Sequence, residues 1–246
     1  MSLLKQFKIC PKCGFEHQSA QSECLRCGVI FGRLHQDDTP HNPKPKGHET
    51  FTEDGRVVFY EHEDSTTALF FAGIKGVFLL FLTFWGIKLA SLPLIDGGAG
   101  NSILHNVNLP FHEAGHIIFS PFGELVGSLG GTLGQLLIPL ICLFTLLFKT
   151  RDPYGAAVCL WWFGENFIDI APYTDDARRL TLPLLGGNYG HSSPYGFHDW
   201  EFILTETGLI QHDHTIANAF MVLGVLIMGV SIIWGAWSIY TKHIKD

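Results

Sequence analysis

Apolar and polar positions divide the chain into two unlike parts. Lys, Glu, Asp and His are frequent over residues 1–66, whereas residues 68–171 and 215–240 consist mainly of Leu, Ile, Phe, Gly and Trp. A helix that crosses a bilayer needs about 20 consecutive apolar residues. The pattern therefore predicts a small polar module followed by an all-α polytopic membrane domain.

The membrane domain is predicted to contain four or five hydrophobic segments, one of which can be re-entrant. These segments are 68–90, 109–127, 129–148, 154–170 and 215–240. Pro-rich polar sequence precedes them and is typical of a linker. The predicted domains are a zinc ribbon at 1–33, a linker and juxtamembrane segment at 34–66, and the membrane domain at 67–246.

Segment 109–127 can span the bilayer or dip in and return. If it spans, Lys149 and Arg151 fall outside, against the tendency of basic loops to stay in the cytosol. If it returns, both residues fall inside, and Asp169 ends near His112. The first residues lack the apolar core of a secretion signal, which favours a cytosolic N-terminus. We therefore expect an integral protein of the cytoplasmic membrane.

Composition supports this division. The chain is 47% hydrophobic and 16% charged, whereas soluble domains carry about 25% charged residues. Its formal net charge of -7 offers no electrostatic basis for binding nucleic acid.

The N-terminal cysteines have the spacing of a zinc site. They form two C-x-x-C pairs, each followed by Gly, with 10 residues between the pairs, and two such pairs can hold one tetrahedral Zn²⁺. A module of about 30 residues is too small to be stabilised by its core alone, which favours zinc over two disulfides or a redox pair. The predicted ligands of this structural zinc are Cys10, Cys13, Cys24 and Cys27.

The chemistry of the membrane domain centres on "HEAGH", an H-E-x-x-H motif. On a helix, His112 and His116 share a face and can reach one Zn²⁺. Glu113 lies one residue further round, where its carboxylate can accept a proton from water at the metal. A carboxylate at membrane depth costs about 2.5–3.5 kcal/mol on insertion scales, so such groups need a partner, a metal or a wet cavity.

A catalytic zinc needs a third protein ligand and an open position. Glu165 and Asp169 lie four residues apart in an apolar segment, and we predict Asp169 as that ligand. Supporting or alternative residues are Glu165, Asn166, Asp175, Asp176 and His198. Gln135 either borders the site or forms a hydrogen bond between helices.

The H-E-x-x-H motif in an apolar segment, followed by a distant span with Asn and Asp, resembles the site-2-protease-like intramembrane zinc metallopeptidases. In that family two histidines and a distant aspartate bind zinc, and the motif glutamate activates water. The resemblance covers residues 105–180 and implies these roles for His112, His116 and Glu113. The family's Asn-x-x-Pro…Asp-Gly signature is absent, although "ENFIDIAPYTDDA" is a loose counterpart. The glycine-rich stretch "GGTLGQLLIP" is similar in character to the turn that follows the family's motif.

The sequence thus favours a membrane-embedded zinc metallopeptidase that cleaves membrane-associated polypeptides, with one structural and one catalytic zinc. Its expected partners are the lipid bilayer, a membrane-protein or peptide substrate, and a cytosolic protein bound by the ribbon. Two alternatives remain: a metal-ion carrier, and a non-catalytic membrane scaffold that retains the zinc site.

Overall fold

A computed structural model of the chain describes residues 7–10, 15–26, 28–30, 49–51, 57–59 and 65–243. The chain divides into two compact units, Met1–Asp64 and Ser65–Asp246.

The described part of the first unit contains short antiparallel strand pairs. Strand β1 (Phe7–Ile9) pairs with β2 (Glu16–Gln21). Strand β3 (Glu49–Phe51) pairs with β4 (Val57–Phe59). The β1–β2 hairpin lies within the segment predicted as a ribbon.

The two cysteine motifs have the same backbone arrangement where they are described. The Cys10 N–H donates to the Phe15 carbonyl (2.8 Å), and the Cys24 N–H donates to the Val29 carbonyl (2.9 Å). Both cysteines are buried in one cluster with Phe15 and Val29. Cys13 and Cys27 lie outside the described residues, so the four-cysteine zinc site stays a prediction.

Residues 65–243 form a helical bundle. Its helices are α1 (Ser65–Ala90), α2 (Ile103–Phe119), α3 (Glu124–Phe144), α4 (Pro153–Asp175), α5 (Asp199–Glu206) and α6 (Asp213–His243). A π-helical turn, Thr145–Lys149, extends α3.

Three helices in the described part of the chain are long and apolar enough to cross a membrane. They are Thr66–Ala90, Glu124–Lys149 and Ile210–His243. The predicted polytopic helical membrane domain is confirmed at this level. Helices α2 and α4, which contain most of the predicted segments 109–127 and 154–170, are not among the three. Helix α4 carries Glu165, Asp169 and Asp175, all of them buried within the bundle.

Helix α4 forms the centre of the unit. Its Trp161 and Ile168 are buried against Leu82 of α1 and Met228 of α6. Small residues allow α4 and α6 to approach closely, since a Cβ on Gly164 would lie 2.9 Å from the Gly224 carbonyl oxygen.

Contacts at the helix ends fix the direction of the chain. At one end, the Tyr154 hydroxyl donates to the carbonyl of Lys75 (2.8 Å), and the Lys75 ammonium lies 3.1 Å from Nε2 of His243. At the other end, Arg178, just after α4, forms an ion pair with Asp213 at the start of α6 (2.6 Å). Helix α4 is therefore parallel to α1 and antiparallel to α6.

Helices α2 and α3 form an antiparallel pair through glycines. A Cβ on Gly115 would overlap the carbonyl of Gly130, and a Cβ on Gly134 would overlap that of Phe111. The glycine-rich stretch 130–134 is thus part of helix α3, where it sets the distance to α2, and not a turn.

Helix α2 is held by its neighbours near both ends. His105 near its start reaches Asp169 in the last turns of α4, and His116 near its end reaches Gly127 at the start of α3. Whether segment 109–127 spans the bilayer or re-enters it stays a prediction.

Candidate metal centre

The polar residues of α2 form one stripe. His105, Asn108, His112 and His116 recur every three or four residues, the spacing that places side chains on one helix face. The helix begins earlier than the apolar pattern suggests, because the Ser102 hydroxyl accepts a hydrogen bond from the His105 N–H and caps it (3.3 Å). Six extra residues at the start of the helix, nearly two turns, therefore add His105 and Asn108 to the motif's face.

The H-E-x-x-H side chains come together with a carboxylate from α5. The rings of His112 and His116 have centroids 4.8 Å apart, and ligand atoms of both lie within 4.8 Å of a Glu113 carboxylate oxygen. Oδ2 of Asp199 lies 3.0 Å from Nε2 of His112 and 3.2 Å from Nε2 of His116. Two imidazole nitrogens and one carboxylate oxygen thus converge. We call His112, Glu113, His116 and Asp199 the candidate centre.

Each side chain that converges on the centre is oriented by α3. Nδ1 of His112 lies 2.8 Å from Oε1 of Gln135, and Nδ1 of His116 lies 2.8 Å from the carbonyl oxygen of Gly127. The Ser128 hydroxyl donates to Oδ1 of Asp199 (3.1 Å). Partners of this kind fix the ring orientation of metal-binding histidines, and they leave Nε2 of each imidazole and Oδ2 of the carboxylate directed at the same point.

The convergence requires positive charge between the three atoms. The Gly127 carbonyl can only accept a hydrogen bond, so Nδ1 of His116 must carry a proton. If the ring is neutral, its Nε2 then has a lone pair. That lone pair faces a carboxylate oxygen, a repulsive contact unless a proton or a cation lies between them. Burial alone would raise the pKa of Asp199, but its hydrogen bonds with His112 and His116 hold that pKa well below the usual range.

The atoms also fit a metal ion geometrically. With metal–ligand bonds of about 2.0–2.1 Å, the ligand atoms of a tetrahedral zinc site lie about 3.3 Å apart. The observed distances from Asp199 Oδ2 to the two imidazole nitrogens, 3.0 and 3.2 Å, are close to this value.

Gly131 keeps the centre open. A Cβ at this position would lie 2.5 Å from Nε2 of His112 and 2.6 Å from Nε2 of His116. Any side chain there would occupy the space next to both nitrogens that a metal must reach.

The sequence-based choice for the third ligand, Asp169, lies elsewhere. Its carboxylate is buried and accepts hydrogen bonds from Asn108 (3.0 Å) and His105 (3.0 Å). Glu165 is also buried and accepts from the same Asn108 amide (3.1 Å). The Asn108 carbonyl oxygen accepts from the Trp162 indole (2.8 Å), which orients the amide toward both carboxylates. The two acids therefore tie α4 to the start of α2, and the structure does not bring them to the imidazoles of His112 and His116.

Asn166 and Asp175 are not part of the centre either. The Asn166 amide donates to the carbonyl of Trp162 within α4 (2.9 Å). Asp175 pairs with Arg179 (2.8 Å) and with His214 at the start of α6. These contacts hold the end of α4 to its neighbours.

Asp176 and His198 support the segment that delivers Asp199. Asp176 is fully buried and accepts hydrogen bonds from the Thr181 and Leu182 N–H groups (3.1 and 2.9 Å). His198 is buried 3.7 Å from Asp176, and it caps α5 by accepting from the Glu201 N–H (3.1 Å). Burial opposes ionisation of Asp176, but the nearby His198 imidazole and the hydrogen bonds from Leu182 and Thr181 lower its pKa to about 2.

Sequence reasoning missed Asp199, although it considered its neighbour His198. Asp199 lies 87 positions after His112, in the polar stretch "GFHDWEF", outside the apolar segments that contain the motif and Asp169. The sequence signal that could have indicated Asp199 is the His-Asp pair at the start of α5, where His198 caps the helix.

Comparison with known proteins adds no assignment: no family model, curated protein or solved structure matches the chain.

Proposed function

We propose that the protein is a membrane-embedded zinc metallopeptidase whose zinc is held by His112, His116 and Asp199. The observation that carries the proposal is the convergence of Nε2 of both motif histidines on one oxygen of Asp199, with each ring oriented from behind by α3. Two histidines and one carboxylate are a common ligand set of catalytic zinc, and they leave the fourth position open.

Zinc in such a site lowers the pKa of water and polarises a carbonyl group. Glu113 is the general base: it accepts the proton of the attacking water and then delivers it to the amine released from the peptide. It is partly exposed, and a carboxylate oxygen lies within 4.8 Å of ligand atoms of both histidines, so its carboxylate borders the position that the metal would occupy. Gln135 and the Gly127 carbonyl keep the imidazole rings of His112 and His116 fixed during this proton transfer.

The centre is neither sealed nor freely exposed. The side chains of His112, His116 and Asp199 retain 20%, 27% and 23% of their accessible surface. Water and an extended peptide can therefore approach, and the neighbouring apolar helices favour a membrane-associated polypeptide as substrate. We place the protein in the cytoplasmic membrane with its N-terminus in the cytosol.

The ribbon would hold the second, structural zinc through Cys10, Cys13, Cys24 and Cys27. The matching backbone closures after Cys10 and Cys24 support this assignment. A module of this type can dock a cytosolic protein partner.

The proposal is tested by zinc stoichiometry in the purified full-length protein. We expect two zinc ions per chain in the wild type and one in the His112→Ala/His116→Ala variant. Asp199→Asn and Asp169→Asn form a matched pair: the first should lose one zinc ion and the second should keep both. Equal zinc content in these two variants would refute Asp199 as the ligand.

Hydrolysis is tested separately with Glu113→Gln. This variant should retain both zinc ions and lose cleavage of a membrane-anchored peptide substrate. A metal carrier would instead keep its flux in Glu113→Gln, and a scaffold that retains the zinc site would hold both zinc ions in the wild type without cleaving the peptide. Either result would exclude the peptidase.

A further inference from the structure

The segment between α4 and α5 has an unusual composition. Residues 180–198, "LTLPLLGGNYGHSSPYGFH", contain no Asp, Glu, Lys or Arg. Solvated loops of this length usually carry charge, since charged residues are about a quarter of a soluble domain. We call this segment the apolar loop.

The apolar loop is held in one conformation by its own backbone. The Leu184 N–H donates to the Asn188 carbonyl (2.7 Å), closing a turn in which Gly186 and Gly187 both have positive φ, 94° and 84°. Nδ1 of His191 lies 2.9 Å from the carbonyl oxygen of Leu180. The fold therefore fixes which side chains point outward.

Four of the exposed side chains are large and apolar or aromatic, beside smaller polar ones such as Asn188 and Ser192. The exposed fractions are 63% for Leu185, 44% for Tyr189, 55% for Tyr195 and 66% for Phe197. An ordered backbone that displays such residues together indicates a surface that is covered in the working protein.

The loop lies at a defined level of the bundle. It follows the end of α4, and Arg178 ties this end to Asp213, where the membrane-crossing α6 begins. Phe197 comes two residues before Asp199, while Ile117, 76% exposed, follows His116 directly. Exposed apolar residues thus lie within two positions of two members of the candidate centre, Asp199 and His116.

We propose that the apolar loop is inserted in the lipid interface at the end of the bundle that carries the candidate centre. Tyr side chains at the boundary, Leu and Phe beyond it and an absence of charge are the features of interfacial protein segments. The loop begins just after the ion pair that holds the end of α4 to the start of α6, a helix long and apolar enough to cross a membrane, so one bilayer can cover both without a separate partner. This proposal does not depend on the hydrolase chemistry; combined with it, the substrate is cleaved at the level of the interface.

The test uses the full-length protein in phosphatidylcholine nanodiscs. Trifluoromethyl-phenylalanine is placed at Phe197 and, separately, at Tyr195. The ¹⁹F relaxation rate is measured with dissolved oxygen, which concentrates in lipid, and with a water-soluble nickel chelate. Phe84, 69% exposed on α1, is the lipid reference, and Leu25, 78% exposed in the N-terminal unit, is the water reference.

We expect the oxygen-to-chelate ratio at Phe197 to approach that at Phe84 and to exceed that at Leu25 severalfold. Tyr195 should give a ratio between the two references. A ratio at both loop positions equal to that at Leu25 would overturn the proposal, as would shielding from both reagents, which would mean that a protein surface covers the loop. The zinc content of the same samples reports separately on the metal centre.

Discussion

The substitution Gly131→Ala tests whether the space beside the two imidazoles is a metal position. The new Cβ would lie 2.5 Å from Nε2 of His112, which is 0.9 Å short of the 3.4 Å at which ordinary contact begins, and 2.6 Å from Nε2 of His116. Both contacts are with the outer ends of side chains, so the rings can swing away and the helix can still form. The swing, however, breaks the hydrogen bonds to Gln135 and Gly127 that aim the rings.

The expected result is loss of the site with retention of the fold. A displacement of about 1 Å at a catalytic centre costs on the order of 100-fold in rate. The same displacement would break a bond to zinc, since these bonds are only about 2 Å long. We therefore expect Gly131→Ala to lose one of two zinc ions and at least about 100-fold in peptide hydrolysis.

The control is Gly229→Ala, on the open surface of α6. A Cβ at Gly229 meets nothing within 4 Å, so this variant should keep both zinc ions and unfold at the same or a higher temperature. Replacing a helical glycine by alanine is otherwise worth about 0.5–1 kcal/mol of stabilisation. Zinc content is measured by mass spectrometry and stability by thermal unfolding. A Gly131→Ala protein with full zinc content would refute the position assigned to the metal.

Two further predictions concern the residues behind the centre. Gln135→Leu should weaken zinc binding about 10–100-fold, the usual effect of losing the hydrogen-bond partner of a histidine ligand. Competition with a chelator measures the zinc affinity. An unchanged affinity would mean that Gln135 only joins helices. Asp176→Asn should lower the unfolding temperature of the metal-free protein at neutral pH. Because the pKa of Asp176 is about 2 in the folded state and about 3.9 in an unfolded chain, its stabilisation is present above pH 4 and is lost as the pH falls toward 2. The difference between variant and wild type should therefore vanish over that range, and a pH-independent difference would contradict the role of its ionised form.

Helix α2 illustrates why boundaries inside the membrane domain were hard to predict. The apolar pattern predicts a segment over 109–127, whereas α2 begins at Ile103 and contains Pro110 in its interior. His105 and Asn108 interrupt the apolar pattern, yet they lie inside the helix because α4 supplies their partners, Asp169 and Glu165. A pattern that reads polar residues as loop cannot anticipate partners 57 or more residues away.

The sequence by itself determined the features that depend on local spacing. Hydrophobic runs specified the long helices, and the i, i+4 positions of His112 and His116 specified that their rings share a face, because helical periodicity alone decides this. Which carboxylate completes the set was decided only by tertiary structure. Asp169 is sequestered by His105 and Asn108, and the buried pair of Asp176 with His198 holds the start of α5 so that Asp199 reaches the imidazoles. Such a choice depends on how distant helices pack, and no local pattern along the chain encodes it.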